Sequence, residues 1–189
     1  SEILQSVRLI ASLVGESSAG ESLAAELHTN LVATTTRSRA LTTAPRVYFE
    51  EWHDPMISGI RWVSELVEVA GGIDVFSRHR CAQAAKDRIV TPQEVLDAGP
   101  DIYIASWCGK MAKRRKIDAR LAGMAALETD DLYEIRSEYI LQPGPAALTD
   151  GLRQLELIVQ GWGSGQRSEE RTAGGLRSVL GQSSPWGDS

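Results

Sequence analysis

The spacing of apolar positions changes along this chain, and each change marks an element. At the start Ile3, Leu4, Val7, Ile10, Ala11 and Val14 recur three and four residues apart, which predicts a helix over 1–14 that Gly15 ends. From 17 to 38 Leu23, Leu27 and Leu31 lie four apart among Ala, Thr and Ser. That narrow stripe predicts a second helix, roughly 30 Å long at ~1.5 Å per residue. Thr42 to Pro45 is a linker, and Arg46 to Glu50 is a β-prone run. Helical spacing returns with Ile60, Val63, Leu66, Val67 and Ala70, with Ser58 as the expected N-cap and Gly71-Gly72 as the stop. Residues 73–88 are polar, lack periodicity and read as a loop.

Thr91, Pro92 and Glu94 have the spacing of a capping box with proline in the first turn, and Gly99-Pro100 stops that short helix. Asp101 to Ala105 is an apolar run between breakers, a strand. A partly amphipathic helix follows over 117–127, then a strand over 131–135 with alternating apolar positions. Leu148, Leu152, Leu155, Ile158, Val159 and Trp162 give one face of a last helix over 145–162. Strands separated by helices imply an α/β fold with a small, mostly parallel sheet flanked by helices, preceded by a long helix that is an ordinary amphipathic surface helix on its pattern alone. Three parts are expected: a helical segment over 1–40, an α/β lobe over 46–162, and a tail over 163–189. The tail is Gly-, Ser-, Arg- and Glu-rich, too poor in apolar residues to offset its ordering entropy, and is expected to be disordered with transient helix near 176–180.

Three loops leave the strand ends where α/β proteins bind ligands. The first, 51–57, holds two acids, an indole, an imidazole and a methionine instead of turn residues. The second is 106–110, where Gly109 permits close approach of the backbone and Trp107 offers a plane. The third, 136–145, is stiffened by Pro143 and Pro145. Together they offer Trp52, His53, Trp107, Cys108 and Gln142, joined by Arg61 and Trp62 at the start of the following helix.

Composition narrows the function. The chain carries a net charge of −5 with 42% apolar and 24% charged residues. Its one basic run, Lys113 to Lys116, reads as a solvated loop or helix start, so nucleic acid is not expected as a partner. No apolar run is long enough to span a bilayer. Cys81 and Cys108 are too few for a disulfide framework, and whether they pair is open. His28, His53 and His79 are scattered, which argues against a structural zinc site. There is no Walker phosphate loop, no GxSxG turn and no HExxH. Glu50, Glu51, His53 and Asp54 form an acid–base cluster on paper, and Cys108 with His53 a thiol nucleophile pair without a third orienting residue. A small α/β hydrolase or transferase using Cys108 therefore stays as an alternative.

The stretch 46–72, with 91–96 leading to 100–104, the run 105–110 and the run 141–152, resembles the C-terminal lobe of cobalamin-type substrate-binding proteins of ABC importers. Those belong to a wider group that binds cobalamin, haem or iron-siderophores between two lobes joined by one rigid helix, and on this resemblance the long helix over 17–38 is that connecting helix. The resemblance runs from about the first residue to Trp162. It implies a binding protein, not an enzyme, that takes a corrinoid without chemistry, needs no cofactor, and meets the membrane only through a permease. It implies haem or an iron-siderophore as alternative ligands, with His53 as an axial ligand and Arg61 as a partner for anionic groups. It implies docking of surface carboxylates on the permease, with Glu138 in the right part of the chain. A periplasmic or surface-anchored location follows if the whole protein carries a signal, and none is present in this chain. The resembling proteins have an N-terminal lobe before the connecting helix. With one lobe, weaker than micromolar cobalamin binding is expected, because a one-sided site buries far less than the usual ~70–90% of a ligand.

Overall fold

The structure is a computed structural model that describes residues 2–179. Helices α1 (Glu2–Leu13) and α2 (Ser17–Ser38) form an antiparallel pair ahead of the sheet. Their approach is close: a Cβ on Gly20 would lie 2.3 Å from Ala11 Cβ, so glycine is required there. Of the expected apolar face of α1, Ile3 and Leu4 are buried, while Ile10 and Val14 stay exposed because only the first turns of α1 meet the core.

Strand β1 (Arg46–His53) is longer than the sequence predicts. The expected loop 51–57 is in fact a hairpin: β1 turns at the cis Asp54–Pro55 bond and returns as β2 (Met56–Ser58), antiparallel to β1 with a bulge between Glu50 and Trp52. Ser58 therefore lies in a strand and not at a helix start. Helix α3 (Arg61–Val69) begins after Ile60 without a side-chain cap, and Gly71 ends it at φ +97°. Next come β3 (Ile73–Asp74), α4 (Pro92–Ala98), β4 (Ile102–Ala105), α5 (Arg114–Arg120), α6 (Ala125–Glu128), β5 (Leu132–Glu134), α7 (Ser137–Ile140) and α8 (Leu152–Ser164). The capping box at Thr91 forms as expected. The expected helix over 117–127 is split by Gly123, which sits at φ +88° between α5 and α6. A π-helical turn over Ala147–Gly151 precedes α8.

The sheet order is β2-β1-β4-β5, with β3 paired to β1. All pairs are parallel except β1 with β2. Alternation along each strand feeds two cores. Val47, Phe49, Ile102 and Ile104 face α1, α2, α3 and α8. Tyr48, Tyr103, Ala105 and Leu132 face Val95, Ile117, Met124 and Ala126. Helix α2 is anchored to the last helix by Arg37, whose Nη2 donates to Glu156 Oε2 at 3.0 Å, and to the π turn by Asn30 Nδ2, which donates to Leu148 O at 2.7 Å.

Residues 163–179 do not form the disordered tail that composition suggests. They return along the outer edge of β5 as a strap. Arg177 N donates to Leu132 O at 2.7 Å and Glu134 N donates to Arg177 O at 3.0 Å, a parallel bridge. Leu176 is fully buried against the second core. A Cβ on Gly174 would fall 1.7 Å from Ala112 O, so the strap lies backbone to backbone on that loop. The composition misleads because the stabilising contacts are ionic. Asp131 is fully buried and accepts from Nε and Nη2 of Arg167, while Asp130 pairs with Arg114, Arg171 and Arg177. The expected transient helix at 176–180 is extended backbone up to Val179, and residues 180–189 lie outside the described residues.

The hydrogen bond from Arg171, aided by Arg114, lowers the Asp130 carboxyl from 3.8 to about 2. A depressed carboxylate pKa stabilises the fold above its unfolded value and loses that contribution as pH falls toward the folded one. Strap protection in hydrogen exchange is therefore expected to hold at pH 5 and to fall between pH 4 and about 2. Unchanged protection of the Arg177 and Ser178 amides at the acid end would show that the ion pairs do not fasten the strap.

Candidate functional site

The carboxyl ends of β1, β4 and β5 meet at one edge, and the site is built outward from a buried acid there. Glu50 is fully buried. It accepts from Tyr48 Oη at 3.1 Å, Tyr103 Oη at 2.7 Å, Trp107 Nε1 at 2.9 Å and Arg120 Nη2 at 2.9 Å. Burial, then the charge of Glu50, pushes both phenols well above their usual value, so they remain neutral donors. Four donors fix one carboxylate, and the carboxylate fixes Trp107.

Trp107 in turn carries His53, whose ring stacks on it at 4.2 Å between centroids and 21° between planes. Trp52 lies 5.1 Å from His53 and is oriented by its own Nε1, which donates to Asp54 O at 2.8 Å. Lys116 Nζ sits 2.9 Å from His53 Nε2. An ammonium can only donate, which leaves Nε2 as acceptor and places the ring proton on Nδ1. Burial first, then the charges of Lys116 and Arg120, lowers the His53 pKa, so the ring is neutral at pH 7. Lys110 Nζ lies 4.6 Å over the Trp52 ring.

Beside Trp107, which lines it, a cavity of about 380 Å³ opens between the loop after β4 and the loop after β5, lined also by Lys110, Glu134, Arg136, Ser137, Glu138 and Thr172 among others. Gly109 N donates to Ser137 Oγ at 3.3 Å and ties the two loops together.

Of the residues named from sequence, Trp52, His53 and Trp107 come together, and Cys108 is adjacent in the chain and exposed. Trp107 is 2% exposed, so it supports His53 and does not offer an open plane. Arg61 and Trp62 are elsewhere. They line a separate cavity with Ile3, Ser6 and Pro143, where Arg61 pairs with Glu65 and Glu2 while Trp62 Nε1 donates to Ile140 O at 3.0 Å. Gln142 is exposed on the loop before that cavity's Pro143. Sequence reasoning missed Lys110, Lys116 and Arg120. The basic run over 113–116 was the available signal, but its meeting with the β1 hairpin depends on the crossover. Both cysteines are free and exposed. Among the described residues no hydrogen bond joins Cys108 to His53, and no group of three His, Cys, Asp or Glu is placed to hold a metal ion.

A sequence profile of the periplasmic binding protein family matches residues 1–139. The chain belongs to the periplasmic binding protein family. No curated protein matches it. Among solved structures, the periplasmic haem-binding protein RhuT of Roseiflexus sp. RS-1 superposes with a TM-score of 0.62 at 22% identity, covering 83% of this chain and 63% of that one. The periplasmic vitamin B12 binding protein BtuF of Vibrio cholerae gives 0.67 at 17% identity, covering 85% and 61%. A protein of an ABC-type Fe3+-hydroxamate transport system from Saccharomonospora viridis gives 0.64 at 18% identity, covering 82% and 54%. At these identities the likeness is one of fold. This member of the family spans less than two thirds of the length of each of those proteins, and its helix pair and α/β lobe fit one lobe of that architecture.

Proposed function

We propose that this chain is the C-terminal lobe and connecting helix of the substrate-binding component of an ABC importer, and that it binds a corrinoid at the edge formed by β1, β4 and β5 without performing chemistry. The observation that carries the proposal is the layered Trp107–His53–Trp52 group, locked from below by buried Glu50. The half-buried rings of Trp52 and His53, held rigid by buried Trp107 and with few catalytic groups converging on them, suit a large ring ligand. The nucleophile pair drawn from sequence has no geometry behind it, since His53 engages Trp107 and Lys116. The family's extracytoplasmic setting and a permease partner extend to this chain on the same grounds.

A specific observation favours haem as the second ligand. Lys110 and Lys116 stand over the aromatic layer, where they would meet ring carboxylates, and a carboxylate that drew Lys116 away would free the Nε2 lone pair of the neutral His53 ring for a metal. Visible-absorbance titration of the full-length protein with cobalamin and, in parallel, haemin separates the two. A saturable shift with cobalamin, weakened about tenfold by Trp52→Ala, is the expected result. A shift with haemin alone, abolished by His53→Ala, moves the ligand to haem. No shift with either removes both.

A further inference from the structure

We propose that Glu134 and the strap residue Thr172 form a polar subsite, with the Glu134 carboxylate as its acceptor, that selects primary amide groups at the ligand's periphery over carboxylates. The proposal rests on the corrinoid reading, since a cobalamin-type ring carries neutral primary amides around its rim whereas haem carries carboxylates. Glu134 is the last residue of β5 and is 5% exposed. Its Oε1 accepts from Ala112 N at 2.7 Å. Its Oε2 is buried and meets no donor among the described residues, and the same holds for Thr172 Oγ1. Both residues line the cavity of about 380 Å³ beside Trp107. Buried polar atoms without partners are costly: the Glu134 oxygen can only accept and lacks an N–H or O–H, while the Thr172 hydroxyl, which can accept or donate, lacks a partner of either kind.

The cations of the cavity do not fill that role. Arg136 is paired with Glu138, and Lys110 lies over Trp52. A carboxylate entering the subsite would bring a second negative charge and only acceptors, so Glu134 discriminates by repulsion as well as by pairing. The strap completes the subsite. Thr172 N donates to Leu176 O at 2.8 Å, Leu176 is buried, and the Asp130 and Asp131 arginine contacts hold the segment in place.

The test compares two corrinoids on the full-length protein: cobinamide, with amide side chains, and cobyrinic acid, with carboxylates. Cobinamide is expected to bind at least about tenfold tighter, the discrimination of one hydrogen bond to a charged acceptor. Glu134→Gln keeps the Ala112 contact through Oε1 but presents an NH2 group in place of Oε2. It is expected to bring the cobinamide-to-cobyrinic-acid ratio to parity or invert it, and Thr172→Val to lower the ratio less. Glu128→Gln removes the same charge from the exposed end of α6, away from the cavity lining, and should leave the ratio unchanged. Because the readout is a ratio, partial loss of fold does not mimic the effect. A ratio near one in the wild type, or one that Glu134→Gln leaves unmoved, overturns the subsite while corrinoid binding stands. Absence of binding to both corrinoids overturns the corrinoid assignment, and the subsite with it.

Discussion

Glu50→Ala is expected to destabilise the protein by about 3–5 kcal/mol, the scale for removing one member of a buried charge network. Four groups lose their acceptor at once: Tyr48, Tyr103, the Trp107 indole and Arg120. The guanidinium of Arg120 is the largest contributor, because it would be left 21% exposed without its carboxylate partner and held only by the carbonyls of Lys116 and His53. The phenols and the indole add the smaller penalty of unmet donors. Glu50→Gln keeps the shape and one acceptor oxygen and is expected to cost less. Denaturant unfolding with matched m-values reads both. The site should also change, since the indole released from Glu50 no longer fixes His53. Near-ultraviolet circular dichroism of Glu50→Gln should lose part of its tryptophan signal. A Glu50→Ala protein within about 1 kcal/mol of wild type would mean that packing alone positions Trp107.

The second large effect concerns Arg88, 1% exposed in a segment that reads from sequence as an unstructured polar loop. Its Nη1 donates to Glu51 Oε2 at 2.6 Å and also to Ser58 O, and Nη2 donates to Glu51 Oε1 at 3.2 Å. This bidentate pair fastens the 3-10 turn Ala85–Arg88 to the β1–β2 hairpin that carries Trp52 and His53. Glu51→Leu strands the buried cation and is expected to cost about 3–5 kcal/mol. Arg88→Met removes the cation and leaves Glu51, 21% exposed, with access to water, so a smaller loss is expected. The double variant is expected to be more stable than Glu51→Leu alone, because two apolar side chains replace an ion pair whose desolvation offsets most of its attraction. Strictly additive losses in that cycle would remove the coupling.

Much of the lobe is legible in the sequence, and what fails does so for identifiable reasons. The helices at 17–38 and 145–162 and the strand at 101–105 follow from local spacing, and the Thr91 capping box from a four-residue pattern; the structure reproduces each within a residue or two, apart from the π turn at 147–151. Ser58 misleads because a serine before an apolar run is an N-cap only if the chain turns there. Here Ile57 pairs with Trp52 and the strand continues, and the Ser58 hydroxyl bonds His79 Nδ1 at 2.9 Å instead. The 163–179 segment misleads because a polar composition predicts disorder only when no opposite charge waits for it; Asp130 and Asp131 wait at the start of β5.

The sequence by itself determined the class of fold, the order of its elements and the positions of the tryptophans and histidine at strand ends, because those follow from contacts within a few residues. Only the tertiary structure decided which of them meet. Trp52, His53 and Trp107 converge because β1 and β4 are paired in parallel register, whereas Arg61 and Trp62, one turn beyond the same hairpin, face α1. Glu50 became the base of the site, and Lys116 and Arg120 its rim, through crossovers that bring residues about 50 to 70 positions apart into hydrogen-bonding distance. No periodicity records such pairings, because the energy that selects them arises only when the separated side chains are desolvated together.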